Sequence, residues 1–221
     1  MGTLMDDATH LALRPRLRGR LHLAAAALSV AGLVWLVTEA SGGVAVVAAW
    51  IYGLAGIGLY LTSGTYHVFT RSERARRIMQ RADHSMIYLL IAGSATPATL
   101  LLLDGWPRAA VFVALWAGAV TGVILKLVAF DRSRRLGATL YIVLGWAGLL
   151  LLPAFLDRPR DLAFMVTAGV LYTVGAALFA ARRPRLSPRW FGYHEVWHTF
   201  GVAAGALLFA LNLGLVRTAG A

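Results

Sequence analysis

The sequence predicts an all-α integral membrane fold: a bundle of seven transmembrane helices, N-terminus in the cytoplasm and C-terminus outside. Three observations lead there. Of 221 residues, 59% are hydrophobic and only 14% charged, against roughly 45–50% and about 25% in soluble domains. A water-soluble globule of this size could not hide so much apolar surface, and the same excess excludes disorder. Seven stretches approach or exceed the about 20 apolar residues that a helix needs to cross a bilayer. The cations are sorted between alternate connections.

A basic cytoplasmic tail over 1–20 precedes the transmembrane domain, 21–216. The spans are 21–38, 44–69, 83–103, 107–130, 136–156, 162–181 and 191–216. The first has an Arg-rich front like that of a signal peptide. Its apolar stretch is long and Glu39 suits a cleavage site badly, so a retained anchor is expected. Small residues suit close helix packing in lipid: Gly53/Gly56 in the second span, Gly118/Gly122 in the fourth and Gly145/Gly148 in the fifth. Pro97 in the third span and Pro153 in the fifth should bend their helices. The connections are short and leave no room for a soluble domain.

The net charge is +11, from 21 Lys+Arg and 10 Asp+Glu. Such a charge admits nucleic acid or an anionic membrane surface as partner. Position decides between them. Seventeen cations fall in the tail, the second, the fourth and the sixth connections: Arg14, Arg16, Arg18 and Arg20; Arg71, Arg74, Arg76, Arg77 and Arg81; Lys126, Arg132, Arg134 and Arg135; Arg182, Arg183, Arg185 and Arg189. The alternate set holds four: Arg108, Arg158, Arg160 and Arg217. By the positive-inside rule the first set is cytoplasmic. Opposite termini require an odd number of spans, and seven is odd. The charge reads as topology, and no nucleic-acid partner is expected, since that would want the cations on one surface with interleaved aromatics.

An ionisable residue inside a span is costly and is a functional hypothesis by default. Of six histidines, His10 and His22 are assigned to the tail or its junction and read as solvated or interfacial. His67 lies one turn before the end of the second span, Asp83 and His84 open the third, and His194 and His198 occupy the first turns of the seventh. The topology brings all of these to one depth, in the cytoplasmic leaflet. His194 and His198, spaced i, i+4, share a helical face. With His67 they make three neutral nitrogens, the ligand set of an open zinc site that supplies a Lewis acid and a hydroxide near neutral pH. The chain has no cysteine, which favours zinc while leaving iron or manganese open. Asp83 either takes a proton from the metal's water or orients a ligand histidine. Ser63, four residues before His67, either faces the same site or bonds its own helix backbone. His84 points about 100° away from Asp83, toward a supporting or interfacial role.

His194-Glu195-Val196-Trp197-His198 also fits H-E-x-x-H, the zinc-protease pattern with Glu as base. It sits in the last span with no downstream acid to serve as third ligand. The plain alternative for Glu195 is an ion pair with a nearby arginine such as Arg189.

Taken together, Ser63-Gly-Thr-Tyr-His67, Asp83-His84, Ala92-Gly-Ser-Ala-Thr-Pro97, Tyr141-Ile-Val-Leu-Gly-Trp146 and Phe191-Gly-Tyr-His-Glu-Val-Trp-His198 resemble the bacterial hemolysin III family. That family is related to the progestin and adipoQ receptors, including the adiponectin receptors, and more distantly to alkaline ceramidases. The resemblance implies a seven-helix bundle in the bacterial plasma membrane. It implies zinc held by His67, His194 and His198 near the cytoplasmic leaflet, with Asp83 on the zinc's water and Ser63 beside it. The chain departs at Leu208, where family members often carry another histidine.

Three activities follow from the resemblance. One is a zinc-dependent hydrolase of a lipid amide or ester, ceramidase-like, with a membrane lipid as substrate. Another is a non-enzymatic lipid sensor or receptor with structural zinc. The third is a channel or cytolysin. A pore should show polar residues along several helices, whereas here the outer halves of the spans read as apolar.

Overall fold

The computed structural model describes residues 15–130, 134–187 and 189–219. The tail positions before Pro15, with His10 and Arg14, lie outside the described residues, as does Arg132. The elements are α1 (Arg20–Glu39), α2 (Gly43–Phe69), α3 (Glu73–Leu102), α4 (Gly105–Val128), α5 (Arg134–Trp146), a 3-10 turn (Ala147–Leu151), α6 (Leu152–Phe155), α7 (Pro159–Ala180) and α8 (Tyr193–Thr218). No strand occurs among the described residues beyond an isolated bridge of Ser187 to Phe191. Six helices are long and apolar enough to cross a membrane: α1, α2, α3, α4, α7 and α8.

Large side chains such as Leu28, Trp50, Val113, Ile142 and Val170 are exposed all around the bundle. Outward apolar residues are what hydrocarbon solvent requires. Inside, small residues let backbones approach. A Cβ built on Gly93 of α3 would lie 2.6 Å from the Ala55 Cβ of α2. One on Gly53 would strike Leu33 of α1, one on Gly118 would strike Leu144, and one on Gly122 would strike the Tyr88 ring. The expected packing role thus holds for Gly53, Gly118 and Gly122. Gly56, Gly145 and Gly148 meet nothing within 4 Å; the last two line a cavity instead.

Two elements differ from the sequence expectation. α3 begins at Glu73, ten residues before the apolar stretch. Ser72 caps it by accepting the Ala75 N–H at 3.3 Å, and Arg74, Arg76, Arg77 and Arg81 extend the helix beyond the apolar slab. The fifth stretch is not one α-helix. It tightens into a 3-10 turn over Ala147–Leu151 and resumes at Leu152–Phe155. Pro153 has no N–H to give the Leu149 carbonyl and its ring crowds that carbonyl, so the helix is interrupted in the turn before it. α3, in contrast, runs through Pro97. Around that proline, Thr96 donates to the Ala92 carbonyl and Thr99 to the Ala95 carbonyl, each at 2.8 Å.

A candidate three-histidine metal centre

The C-terminal end of α2, the N-terminal parts of α1 and α8, and the first third of α3 meet at one end of the bundle. His67 occupies the last turn of α2, and His194 and His198 the first two turns of α8. Each of the three offers a nitrogen, and these all lie within 4.8 Å of one another. The Nε2 atoms of His67 and His194 are 3.2 Å apart. Two nitrogens at zinc–nitrogen bond length in a tetrahedron are separated by about 3.3 Å. His198 is buried, and the other two are half-buried. Three imidazoles this close and this enclosed repel one another when protonated, whereas a divalent cation takes all three lone pairs at once. The donor set therefore fits a metal ion.

Asp83 joins from α3, its Oδ2 3.8 Å from the His67 Nε2, with 7% of the His67 side chain and 14% of the Asp83 side chain exposed. Ser63, buried on the same face of α2 as His67, is a hydrogen-bonding neighbour of the Asp83 carboxyl. The structure thus brings together all five residues singled out in the sequence. His84 stays apart: its Nδ1 donates to the Gln80 carbonyl at 2.8 Å and its ring stands edge-on to Phe130.

His22 is a correction. It is buried, not solvated or interfacial. Its ring stacks on that of His198 with centroids 3.8 Å apart and 7° between planes. Tyr60 stands edge-on to it at 5.2 Å, and its Nδ1 has no hydrogen-bond partner among the described residues. α1 starts at Arg20, which puts His22 in the first helical turn, facing inward. The rule that singled out the other histidines applied to it too.

Glu195 is a second correction. Its partner is Arg18, not Arg189: the Arg18 Nε donates to Oε1 at 2.7 Å. The Gly192 N–H donates to Oε2 at 2.7 Å, closing the first turn of α8. With 1% exposure and both oxygens engaged, Glu195 is not placed as a protease base. The segment before α1 lies along the approach to α8. The Arg16 and Leu17 N–H groups donate to the carbonyls of Arg189 and Trp190 at 3.0 and 3.3 Å, and the Arg16 guanidinium stacks 4.7 Å from the Trp190 ring. Gly19, at φ 77°, sits where a Cβ would be 2.6 Å from the His67 Cβ. Only glycine combines that conformation with that approach.

A cavity of about 120 Å³ lies between α3, α4, the fifth segment, α7 and α8, lined by Ser94, Leu115, Gly145, Gly148, Tyr172 and Leu208 among others. The Tyr172 hydroxyl is buried without a partner among the described residues. Leu208 is thus a cavity wall at the position where the resemblance led one to look for a histidine. Nor is the half of the bundle away from the histidines wholly apolar. Asn212 is completely buried and donates to the Ser94 carbonyl at 3.1 Å, and Trp116 donates to the Thr96 hydroxyl at 3.1 Å.

Fold and site define a multi-pass membrane protein with a three-histidine, one-carboxylate cluster at one end of its helices. Residues 11–209 match the family model described as Haemolysin-III related, and the chain belongs to that family; with six helices long and apolar enough to cross a membrane, it is a multi-pass protein of the bacterial cell membrane. It is 30% identical over 193 residues to Hemolysin-3 of Bacillus cereus, covering 85% of each chain. It is 29% identical over 187 residues to the Hemolysin-3 homolog of Bacillus subtilis, covering 82% of this chain and 84% of that one. A human protein, monocyte to macrophage differentiation factor, is 23% identical over 165 residues, 73% of this chain and 67% of its own.

Proposed function

We propose that the protein is a zinc-dependent hydrolase of lipid amide or ester bonds, with seven spans, the N-terminus in the cytoplasm and the C-terminus outside. The observation that carries the reading is the convergence of three histidine nitrogens within 4.8 Å with the Asp83 carboxylate 3.8 Å from one of them. Zinc held by His67, His194 and His198 would supply Lewis acidity toward a carbonyl oxygen and toward water. Asp83 accepts the proton of the attacking water at its carboxylate and returns it to the leaving amine or alcohol. Ser63 fixes the Asp83 carboxyl. The wall of Arg18, Gly19 and Glu195 keeps bulk water off the cluster, and the cavity beside Tyr172 suits part of an acyl chain. The broken fifth segment supports the count of seven: 22 consecutive residues, Arg134 to Phe155, span about 35 Å, enough for a hydrocarbon core of about 30 Å.

Metal analysis of detergent-purified protein tests the site. Wild type is expected to hold one zinc, and His67→Ala and His198→Ala to lose it; stoichiometric zinc in both variants would sink the assignment. Asp83→Asn is expected to keep the metal and lose turnover of a ceramide-like amide. Normal turnover in that variant would remove Asp83 from the mechanism; no turnover in wild type, with loss of the fold when the metal is stripped, would make zinc structural and put the sensor reading in place of hydrolysis. The name of the Bacillus cereus relative, Hemolysin-3, favours a cytolysin as second reading. Leakage of dye from liposomes that persists in the His67→Ala/His198→Ala double variant would support it.

A further inference from the structure

The cavity between α3, α4, the fifth segment, α7 and α8 measures about 120 Å³. A space of this order holds a small apolar molecule rather than a single water. Its walls are largely hydrocarbon, with Leu115, Leu151, Phe155, Met165 and Leu208 among them, and no charged side chain lines it. Two of the lining side chains carry hydroxyls. That of Ser94 donates to the Ile91 carbonyl of its own helix at 3.0 Å. That of Tyr172 is buried and has no hydrogen-bond partner among the described residues.

The Tyr172 ring is set in place by α8. It lies 6.5 Å from the Trp197 ring, and its Cε1 stands 3.9 Å from where a Cβ would be on Gly201, three residues after His198. A buried water needs two to four polar partners, and these walls offer too few. An unbonded hydroxyl in hydrocarbon is costly, so this one calls for an occupant that brings its own oxygen. A phenol O–H can donate to a hydroxyl or a carbonyl. With no charged group on the walls, that oxygen is uncharged. The volume takes a segment of one chain. Gly145 and Gly169 on the wall are exposed, and a Cβ on Gly145, Gly148 or Gly169 would meet nothing within 4 Å. The cavity thus has an edge free of side chains between the fifth segment and α7, where a chain can enter.

We infer that Tyr172 is the specificity-determining contact of this cavity: its hydroxyl donates a hydrogen bond to an uncharged oxygen, hydroxyl or carbonyl, borne on the hydrocarbon chain of a membrane lipid. This rests on the part of the proposed reading that puts an acyl chain in the cavity, and it requires no hydrolysis. The full chain, purified in detergent, is mixed with octadecanoic acid or with octadecanoic acids bearing one hydroxyl near the carboxyl, at mid-chain or near the methyl end. None of these probes holds a bond to hydrolyse, and retained acid is counted by native mass spectrometry. Wild type should retain one of the hydroxy acids about tenfold better than the parent acid, a difference of about 1.4 kcal/mol. Tyr172→Phe should hold the parent acid as wild type does and lose the preference. Gly169→Leu, which fills the open edge, should reduce retention of all the acids. In protein free of added lipid, Tyr172→Phe should leave the thermal midpoint no lower, since the hydroxyl that it removes bonds nothing.

Equal retention of all the acids by wild type, or a preference that survives in Tyr172→Phe, overturns the inference. So does a lowered midpoint of Tyr172→Phe without lipid, which would show that the hydroxyl bonds within the chain. Undiminished retention in Gly169→Leu would put the acids outside the cavity and overturn it as well. Absence of zinc or of turnover in wild type would sink the hydrolase reading and leave this preference standing, so the two failures are told apart.

Discussion

The His22 imidazole lies flat on that of a candidate ligand, His198. Truncating it leaves a gap beside a ring whose orientation a bound metal would need. Groups that orient metal ligands commonly contribute 10–100-fold to affinity, so His22→Ala should weaken zinc binding about tenfold in competition with a chelator. His22→Phe, which restores a flat ring without a nitrogen, should recover most of the loss; equal weakening in both would mean that the nitrogen matters. Glu195 gives the other residue-level prediction. Removing one partner of a buried ion pair costs about 3–5 kcal/mol. Arg18 is partly exposed, 21% against 1% for Glu195, so Arg18→Met should fall near the lower end, read from denaturation in detergent. Glu195→Gln should also destabilise the protein while keeping its zinc. Zinc lost from a folded Glu195→Gln protein would contradict a purely structural Glu195.

At the scale of elements, the site depends on how closely α2 and α3 pack, because they carry His67 and Asp83. A Cβ on Gly93 would stand 2.6 Å from the Ala55 Cβ and 3.4 Å from the Ile51 carbonyl. Gly93→Val must push the two helices apart, at about 1–3 kcal/mol for overpacking. A lowered thermal midpoint with reduced zinc occupancy is expected, and unchanged values would show that the contact yields without disturbing the site. Element boundaries also show how far the sequence could be read. α2, α4 and α8 match their apolar stretches within a few residues, because in lipid the apolar length is the helix. α3 does not, since hydropathy is blind to a helix that continues into water on charged residues behind a Ser72 cap. Pro153 announced a disturbance in the fifth span, but the 3-10 turn that absorbs it depends on the packing of Leu151 and Phe155 against α8.

For the whole molecule, sidedness is the quantity that the cation sorting addresses. The chain has no cysteine, so one introduced thiol can be labelled without background. Arg185→Cys should react with an impermeant maleimide only after the cells are opened, and Arg160→Cys in intact cells. The reverse pattern would invert the topology and move the histidine cluster to the outer leaflet. The same experiment shows whether α7 crosses the membrane, since the two positions lie at its opposite ends.

The sequence by itself determined the membrane class, the approximate spans and the identity of the residues that converge on the site. Those follow from one-dimensional quantities: apolar length, charge sorting and the i, i+4 spacing of His194 and His198. Tertiary structure alone decided which side chains face each other. It turned His22 inward onto His198, paired Glu195 with Arg18 across 177 positions and put Tyr172 on the wall of a cavity. The physical reason is that hydropathy fixes a helix's depth but carries almost no information about its rotation. In a bundle whose helices are apolar on every side, rotation is set by which small residues let which backbones approach.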